Sequence, residues 1–167
     1  YSSAASDVYK RQGGDNLNSV VATGYFNYQA ALEEIREEEQ FDFAAIALPE
    51  DDSHSAVIKW RHASGNLNNR YQLIVLRPGK GLAGLVIRTG SRMIIDDVNT
   101  VLSPNDKLSY PIVLSESLTA MVAIPLWHDN RVYGALLLGQ RNGRPLPEGS
   151  EEIRINHRLG SFRDEIN

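Results

Sequence analysis

The chain has 167 residues, with 17 Lys and Arg against 21 Asp and Glu, and a formal net charge of −4. It contains no cysteine, which excludes disulfides, thiolate metal sites, iron–sulfur clusters, cysteine nucleophiles and covalently attached bilins. No basic block marks a nucleic-acid face, no run approaches the ~18 uninterrupted apolar residues of a spanning helix, and no signal-peptide pattern is seen, so a cytoplasmic location is expected.

The opening "YSSAASDVYKRQ" is small, polar and without period. Residues 1–14 are expected to be a disordered tail or a non-native scar, and residues 15–167 a single domain. In "YQAALEEIREEEQ" (28–40) Tyr28, Ala31, Leu32 and Ile35 form one stripe, predicting a helix with a solvated Glu-rich face. "FDFAAIALP" (41–49) predicts a buried strand. "AVIKWRHASG" (56–65) predicts a second, whose alternation puts Val57, Lys59 and Arg61 on one face and Ile58, Trp60 and His62 on the other. "YQLIVL" (71–76) predicts a strand or extended run.

The next stretch, "RPGKGLAGLVIRTG" (77–90), holds Gly79, Gly81, Gly84 and Gly90. It predicts a loop, a helix from Leu82 to Thr89, and Gly90 as its C-terminal cap. "RMIIDDV" (92–98) predicts a short strand whose paired aspartates supply a turn and a cap. Ser103 and Pro104 start a further helix that Pro111 should break. "AMVAIPLWH" and "RVYGALLLGQR" around "DN" predict a hairpin. The final stretch from Pro147 predicts a terminal helix, with Ile155, Leu159, Phe162 and Ile166 spaced 4, 3 and 4. This order is α+β: a mainly antiparallel sheet with terminal helices on one face and short helices on the other.

Glycines before a helix start serve either a tight turn or a ligand brought close to the backbone. A helix N-terminus offers unpaired N–H groups and about half a positive charge. Leu82, Ala83 and Gly84 would form the first turn, with apolar or absent side chains, so a small anion there would meet backbone. "GKGLAG" lacks the Gly-Lys-Ser/Thr ending of a P-loop. Trp60 is either a core aromatic with its N–H on a backbone carbonyl or a donor to a ligand. Tyr110 either donates its hydroxyl or wedges the Pro111 kink. Lys80 and Arg77 are expected to face solvent, and Trp127 to be core or rim. His54, His62, His128 and His157 are scattered, so neither a metal site nor a Ser-His-Asp set is expected.

The words "PGKGLAGLVIRTG", "IIDDV" and "AIPLWHDNRVYGALLLG" resemble the GAF domain family over residues 28–166. Within it, "FNYQAALEEIREEEQFDFAAIALP", "VIKWRHASGNLNNRY" and "LIVLRPGKGLAGLVIRTG" are similar to a stand-alone nitrate receptor. The resemblance implies a GAF-like α+β fold and a buried nitrate held by helix-start N–H groups and a tryptophan. Carried over by residue, it implicates Trp60, Leu82, Ala83, Tyr110, Pro111 and Ile112, with their neighbours Gly84 and Val113. It also implies a separate sensor histidine kinase as partner, pairing through the terminal helices as a homodimer, no cofactor, and no enzyme activity. The open alternatives are another small ligand such as a carboxylate metabolite, and a ligand-free interaction module. Reduction of free methionine-R-sulfoxide by small GAF proteins needs the cysteines that this chain lacks.

Overall fold

Two apolar faces alternate along the central strands, and each collects its own layer of helices or loops. In the computed structural model, which describes residues 26–165, the elements begin with α1 (Tyr28–Glu38), β1 (Phe43–Pro49) and β2 (Ile58–Ser64). A 3-10 turn (Arg70–Leu73), β3 (Val75–Leu76), α2 (Gly81–Thr89) and β4 (Met93–Ile95) follow. Three short helices come next: α3 (Val98–Val101), α4 (Pro104–Leu108) and α5 (Pro111–Ser115). The hairpin β5 (Ala120–His128) and β6 (Arg131–Gln140) precedes a last 3-10 turn (Ser150–Glu152). The six strands form one sheet in the order β3-β2-β1-β6-β5-β4, every neighbouring pair antiparallel.

The alternation in β1 sorts the core. Phe43, Ala45 and Ala47 join Met121, Ala123 and Leu137 beneath α2 and α5. Ala44, Ile46 and Leu48 join Val122, Ile124 and Leu136 beneath α1. A strand buried on both faces reads as a continuous apolar run. α1 starts where the Asn27 side chain accepts from the Ala30 N–H at 2.9 Å, and it buries Tyr28, Ala31, Leu32 and Ile35. The hairpin turns through Asp129 and Asn130 at φ 52° and 65°, the left-handed pair that matches strand twist. Ser103 and Asp106 cap α4 reciprocally, with Pro104 in the first turn. Pro111 breaks that helix and opens α5 as a new one. Asp97 caps α3, a turn of helix that the strand pattern of 92–98 did not suggest. In 71–76 only Val75–Leu76 is strand.

Three expectations need correction. Among the described residues, the stretch from Pro147 forms no terminal α-helix. His157 and Gly160 take φ 69° and 61°, which an α-helix cannot accommodate. Side chains replace the helical ladder: Asp164 accepts from the Ile155 N–H at 2.6 Å and Asn156 accepts from the Asp164 N–H at 3.0 Å. Arg163 instead exchanges backbone hydrogen bonds with Trp127. Ile155, Leu159 and Phe162 are buried as their spacing implied, so the burial pattern was right and the conformation wrong; Ile166 lies outside the described residues. Of the two terminal helices expected to pair, only α1 is present among the described residues.

Second, His62 does not share a face with Trp60. Ile46 pairs with His62 and Ala47 with Trp60, which leaves Arg61 as the extra residue of a bulge. His62 thus crosses to the α1 side and stacks on Tyr28, ring centroids 6.2 Å apart. Third, the Glu-rich face of α1 is not wholly solvated, since Glu38 and Glu39 hold Arg158 at 2.7 and 2.6 Å. The expected tail at residues 1–14 falls outside the described residues.

Burial, with help from the Arg61 charge, pushes the His62 imidazole down from 6.5 to about 4. In the unfolded chain it takes up its proton near 6.5. Between these values the unfolded state binds more protons, so this residue makes stability fall as pH drops from 6.5 towards 4. His62→Gln should flatten that part of the melting-temperature profile relative to the parent protein. Parallel profiles for the two proteins would contradict the burial of a neutral imidazole.

Candidate functional site

The glycine-rich loop is a turn in which backbone conformation is the constraint. Gly79 and Gly81 sit at φ 76° and 71°, where an L side chain is strained. A Cβ on Gly84 would lie 3.0 Å from the Gly79 carbonyl carbon, so the loop folds directly over the first turn of α2. Gly90 ends the helix in the left-handed conformation, φ 67°, against the ring of half-buried Trp127. Arg77 and Lys80 are exposed, as expected.

That first turn is deeply buried. Leu82 and Ala83 are 1% and 0% exposed. They share one core cluster with Trp60 of β2 and with Ile112 and Val113 of α5, and half-buried Tyr110 packs against it. Gly84 is buried beside them. Pro111 is exposed and lies at the rim. Seven of the eight candidate residues thus lie in or against the core on the α2 side of the sheet, and the eighth, Pro111, is exposed.

Two features of this patch are chemically unusual. The Trp60 side chain is 2% exposed, yet its indole Nε1 has no hydrogen-bond partner. The reading in which that N–H is tied to a backbone carbonyl is thus not what the structure shows. Leaving a buried donor unpaired costs about 1–3 kcal/mol. The second feature is the helix ends. α1, α3 and α4 are capped by the side chains of Asn27, Asp97 and Ser103. α2 and α5, which carry the candidate residues, have no side-chain cap. The residue preceding α2 is Lys80, which has no acceptor to offer. A nine-residue helix start without a side-chain cap and an unpartnered indole N–H both call for an acceptor. An anion with several oxygens, small and weakly solvated, meets that demand.

Sequence reasoning missed the polar anchor of this patch. Glu116, just after α5, is 0% exposed, and its carboxylate meets Arg141 beyond β6. The signal was an arginine directly after a long apolar strand. Two clefts lie elsewhere. One of about 340 Å³ runs between the acidic turn at 51–54, α2 and the start of β6, and borders the patch through Ile58 and Gly84. The other lies along α1 beside His157 and Arg158. One Ser-His-Asp grouping does form, contrary to expectation. Ser161 Oγ lies 3.4 Å from His128 Nδ1, and Asp129 Oδ2 lies 3.4 Å from Nε2. Its carboxylate is 81% exposed at the hairpin tip, and neither cleft is lined by these residues. Among the described residues no group of three or more His, Asp or Glu could hold a metal ion, and no helix is long and apolar enough to cross a membrane.

A GAF domain model matches residues 28–155. The chain belongs to the GAF domain family. Its six-stranded antiparallel sheet with short helices over one face is the GAF fold. Among solved structures, this GAF chain is 58% identical to hypothetical protein SA1058 from Staphylococcus aureus, over 72% of its own length and 98% of that chain, with a TM-score of 0.70. It is 55% identical to an NreA protein from Staphylococcus aureus mutated in its nitrate binding site, over 78% of this chain and 94% of that one, TM-score 0.74. A type II free methionine-R-sulfoxide reductase from Thermoplasma acidophilum shares the fold alone, at 16% identity over 75% of this chain and 78% of that one, TM-score 0.55. No curated protein matches the chain.

Trp60→Phe removes the unpaired donor while keeping most of the ring volume. Truncating a core tryptophan to alanine costs about 3–5 kcal/mol, whereas Trp60→Phe should cost less than half of that, because the orphan N–H leaves with it. Urea denaturation of the ligand-free variants in nitrate-free buffer measures both. A loss from Trp60→Phe as large as that from Trp60→Ala would mean that the N–H has a partner.

Proposed function

We propose that this GAF protein is a cytoplasmic receptor for a small planar monoanion, nitrate first, and that it modulates a separate sensor histidine kinase. The single observation that carries the reading is the buried, unpartnered Nε1 of Trp60, in one core cluster with the uncapped first turn of α2. The similarity to an NreA protein with a nitrate binding site supports the choice of anion.

In this reading Trp60 donates its indole N–H, and the backbone N–H groups of Leu82 and Ala83 donate from the start of α2. Gly84 lets the loop close behind them. Tyr110, Pro111, Ile112 and Val113 cover the other side, with Pro111 at the rim. Nitrate suits such a site. It carries one charge over three weak acceptors, so it loses less on leaving water than sulfate or phosphate. The helix start offers about half a positive charge, which is too little to repay the desolvation of a dianion. No resident cofactor takes part, and the role is binding rather than catalysis. With 0 Cys in the chain, the thiol chemistry of methionine sulfoxide reduction has no residue to run on. The output would pass to the kinase through surface changes around Tyr110–Val113.

A thermal-shift series with nitrate, chloride, sulfate and pyruvate at matched ionic strength tests this. At ~100 times its dissociation constant a ligand adds about 2.7 kcal/mol, roughly 5–10 °C for a domain of this size. Nitrate should give that shift and sulfate none. A shift with pyruvate instead would transfer the site to carboxylate metabolites, and no shift with any anion would leave an interaction module.

Leu82→Pro removes one donor at the second residue of α2, after a Gly81 whose φ is already outside the helical region. Proline is tolerated in a first turn, so the fold should persist while nitrate binding weakens at least about tenfold, since a hydrogen bond to an ion is worth about 1.5–3 kcal/mol. Unchanged affinity by calorimetry would remove the backbone donors from the account.

A further inference from the structure

We propose that Glu116 is the positioning residue of the anion site: its buried carboxylate clamps the end of α5 to the sheet and so sets Tyr110–Val113 against α2. This rests on the receptor reading above, but its structural half can be tested without any ligand.

The geometry around Glu116 joins four segments. Its Oε1 accepts from the Leu67 N–H at 2.9 Å and from Arg141 Nη2 at 2.5 Å. Arg141 Nε donates to the Glu116 carbonyl at 2.7 Å, and Nη1 to the Gly65 carbonyl at 3.0 Å. The guanidinium also lies 5.5 Å from the centre of the Phe43 ring. The Arg141 N–H donates to Asp42 at 2.9 Å. The end of α5 is thus bound to the loop after β2 and to the end of β6, and Arg141 links it on to the residue before β1.

The other end of α5 has no such anchor. Its capping residue, Tyr110, makes no side-chain cap and Pro111 has no N–H; the backbone bonds there are local, Tyr110 N–H to the Lys107 carbonyl and Val113 N–H to the Tyr110 carbonyl, and Ile112 and Val113 pack into the apolar core. A helix of five residues has little stability of its own. Its place is therefore set from its C-terminal end. Two alternatives explain Glu116 less well. A carboxylate after a helix C-terminus has the wrong sign for the helix dipole. A buried ion pair is seldom more stabilising than apolar residues of the same volume, and here Oε2 is left without a partner. What the pair does supply is direction: several hydrogen bonds at fixed angles, which apolar contacts cannot give.

The test compares Glu116→Gln and Arg141→Lys with Ile35→Val, which loosens the α1 face of the core far from α5. Two quantities are read on each full-length protein: amide exchange at Val113 and Leu118 relative to Leu137 in β6, without ligand, and the nitrate dissociation constant by calorimetry. Both clamp variants should speed relative exchange at Val113 and Leu118 by ~10-fold or more and raise the dissociation constant by ~10-fold. Ile35→Val should lower the melting temperature and move neither. Equal relative exchange in all three variants would overturn the clamp. If exchange rises but nitrate affinity holds, α5 is clamped and the site does not depend on it, which also overturns the proposal. If the parent protein binds no nitrate, the receptor reading fails and the exchange data alone decide whether Glu116 sets α5. Should Glu116→Gln not fold, Arg141→Lys carries the same two readouts.

Discussion

A buried N–H needs an acceptor, and around Trp60 the protein does not supply one. That constraint organises the α2 half of the molecule. The sheet delivers Trp60 to the interior because β2 keeps its alternation as far as Arg61. The glycine-rich loop brings the start of α2 into the same cluster, and Gly79 and Gly81 take the positive φ values that the approach requires. Elsewhere the chain spends Asn27, Asp97 and Ser103 on closing helix ends. At α2 it places Lys80 and then Leu82 and Ala83, which close nothing. The demand for an acceptor is met by a ligand or left open.

The two faces of the sheet divide the labour. Beneath α1 the packing is apolar and continuous, from Leu32 and Ile35 to Leu159 and Phe162. It gives stability and needs no ligand. Over the other face lie short helices whose individual stability is small. α5 is anchored to the sheet end at one end by Glu116 and Arg141, while its other end has local backbone bonds and apolar packing. In the proposed receptor, binding energy spent at that end would shift the segment without disturbing the α1 face. This is the physical route by which occupancy of so small a site could reach the surface.

Much of the fold was legible because strands and turns carry their own chemistry. Asp129-Asn130 specified the hairpin, Ser103 and Pro104 the start of α4, and Gly90 the end of α2. The C-terminal segment was misread because burial and conformation are separate properties. Ile155, Leu159 and Phe162 keep a helical spacing, but Asp164 and Asn156 satisfy backbone groups in a non-helical path. His62 was placed on the wrong face because a one-residue bulge has no signature in an alternating pattern. At the candidate site, the residue types were legible and their convergence was implied by family resemblance. The unpaired state of Trp60 Nε1 and the Glu116–Arg141 anchor were not, since both depend on contacts between residues distant in sequence.

The most direct measurement uses the two tryptophans as reporter and control. Trp60 is buried on the ligand side, and Trp127 is half-buried at the rim beneath Gly90. Proton–nitrogen spectra give each indole N–H its own peak. Nitrate should move the Trp60 peak downfield, saturably, as the orphan donor gains an acceptor, with Trp127 nearly still and sulfate at the same ionic strength without effect. A Trp60 peak that does not respond to nitrate, or that already shows a strong hydrogen bond in its absence, would contradict the account.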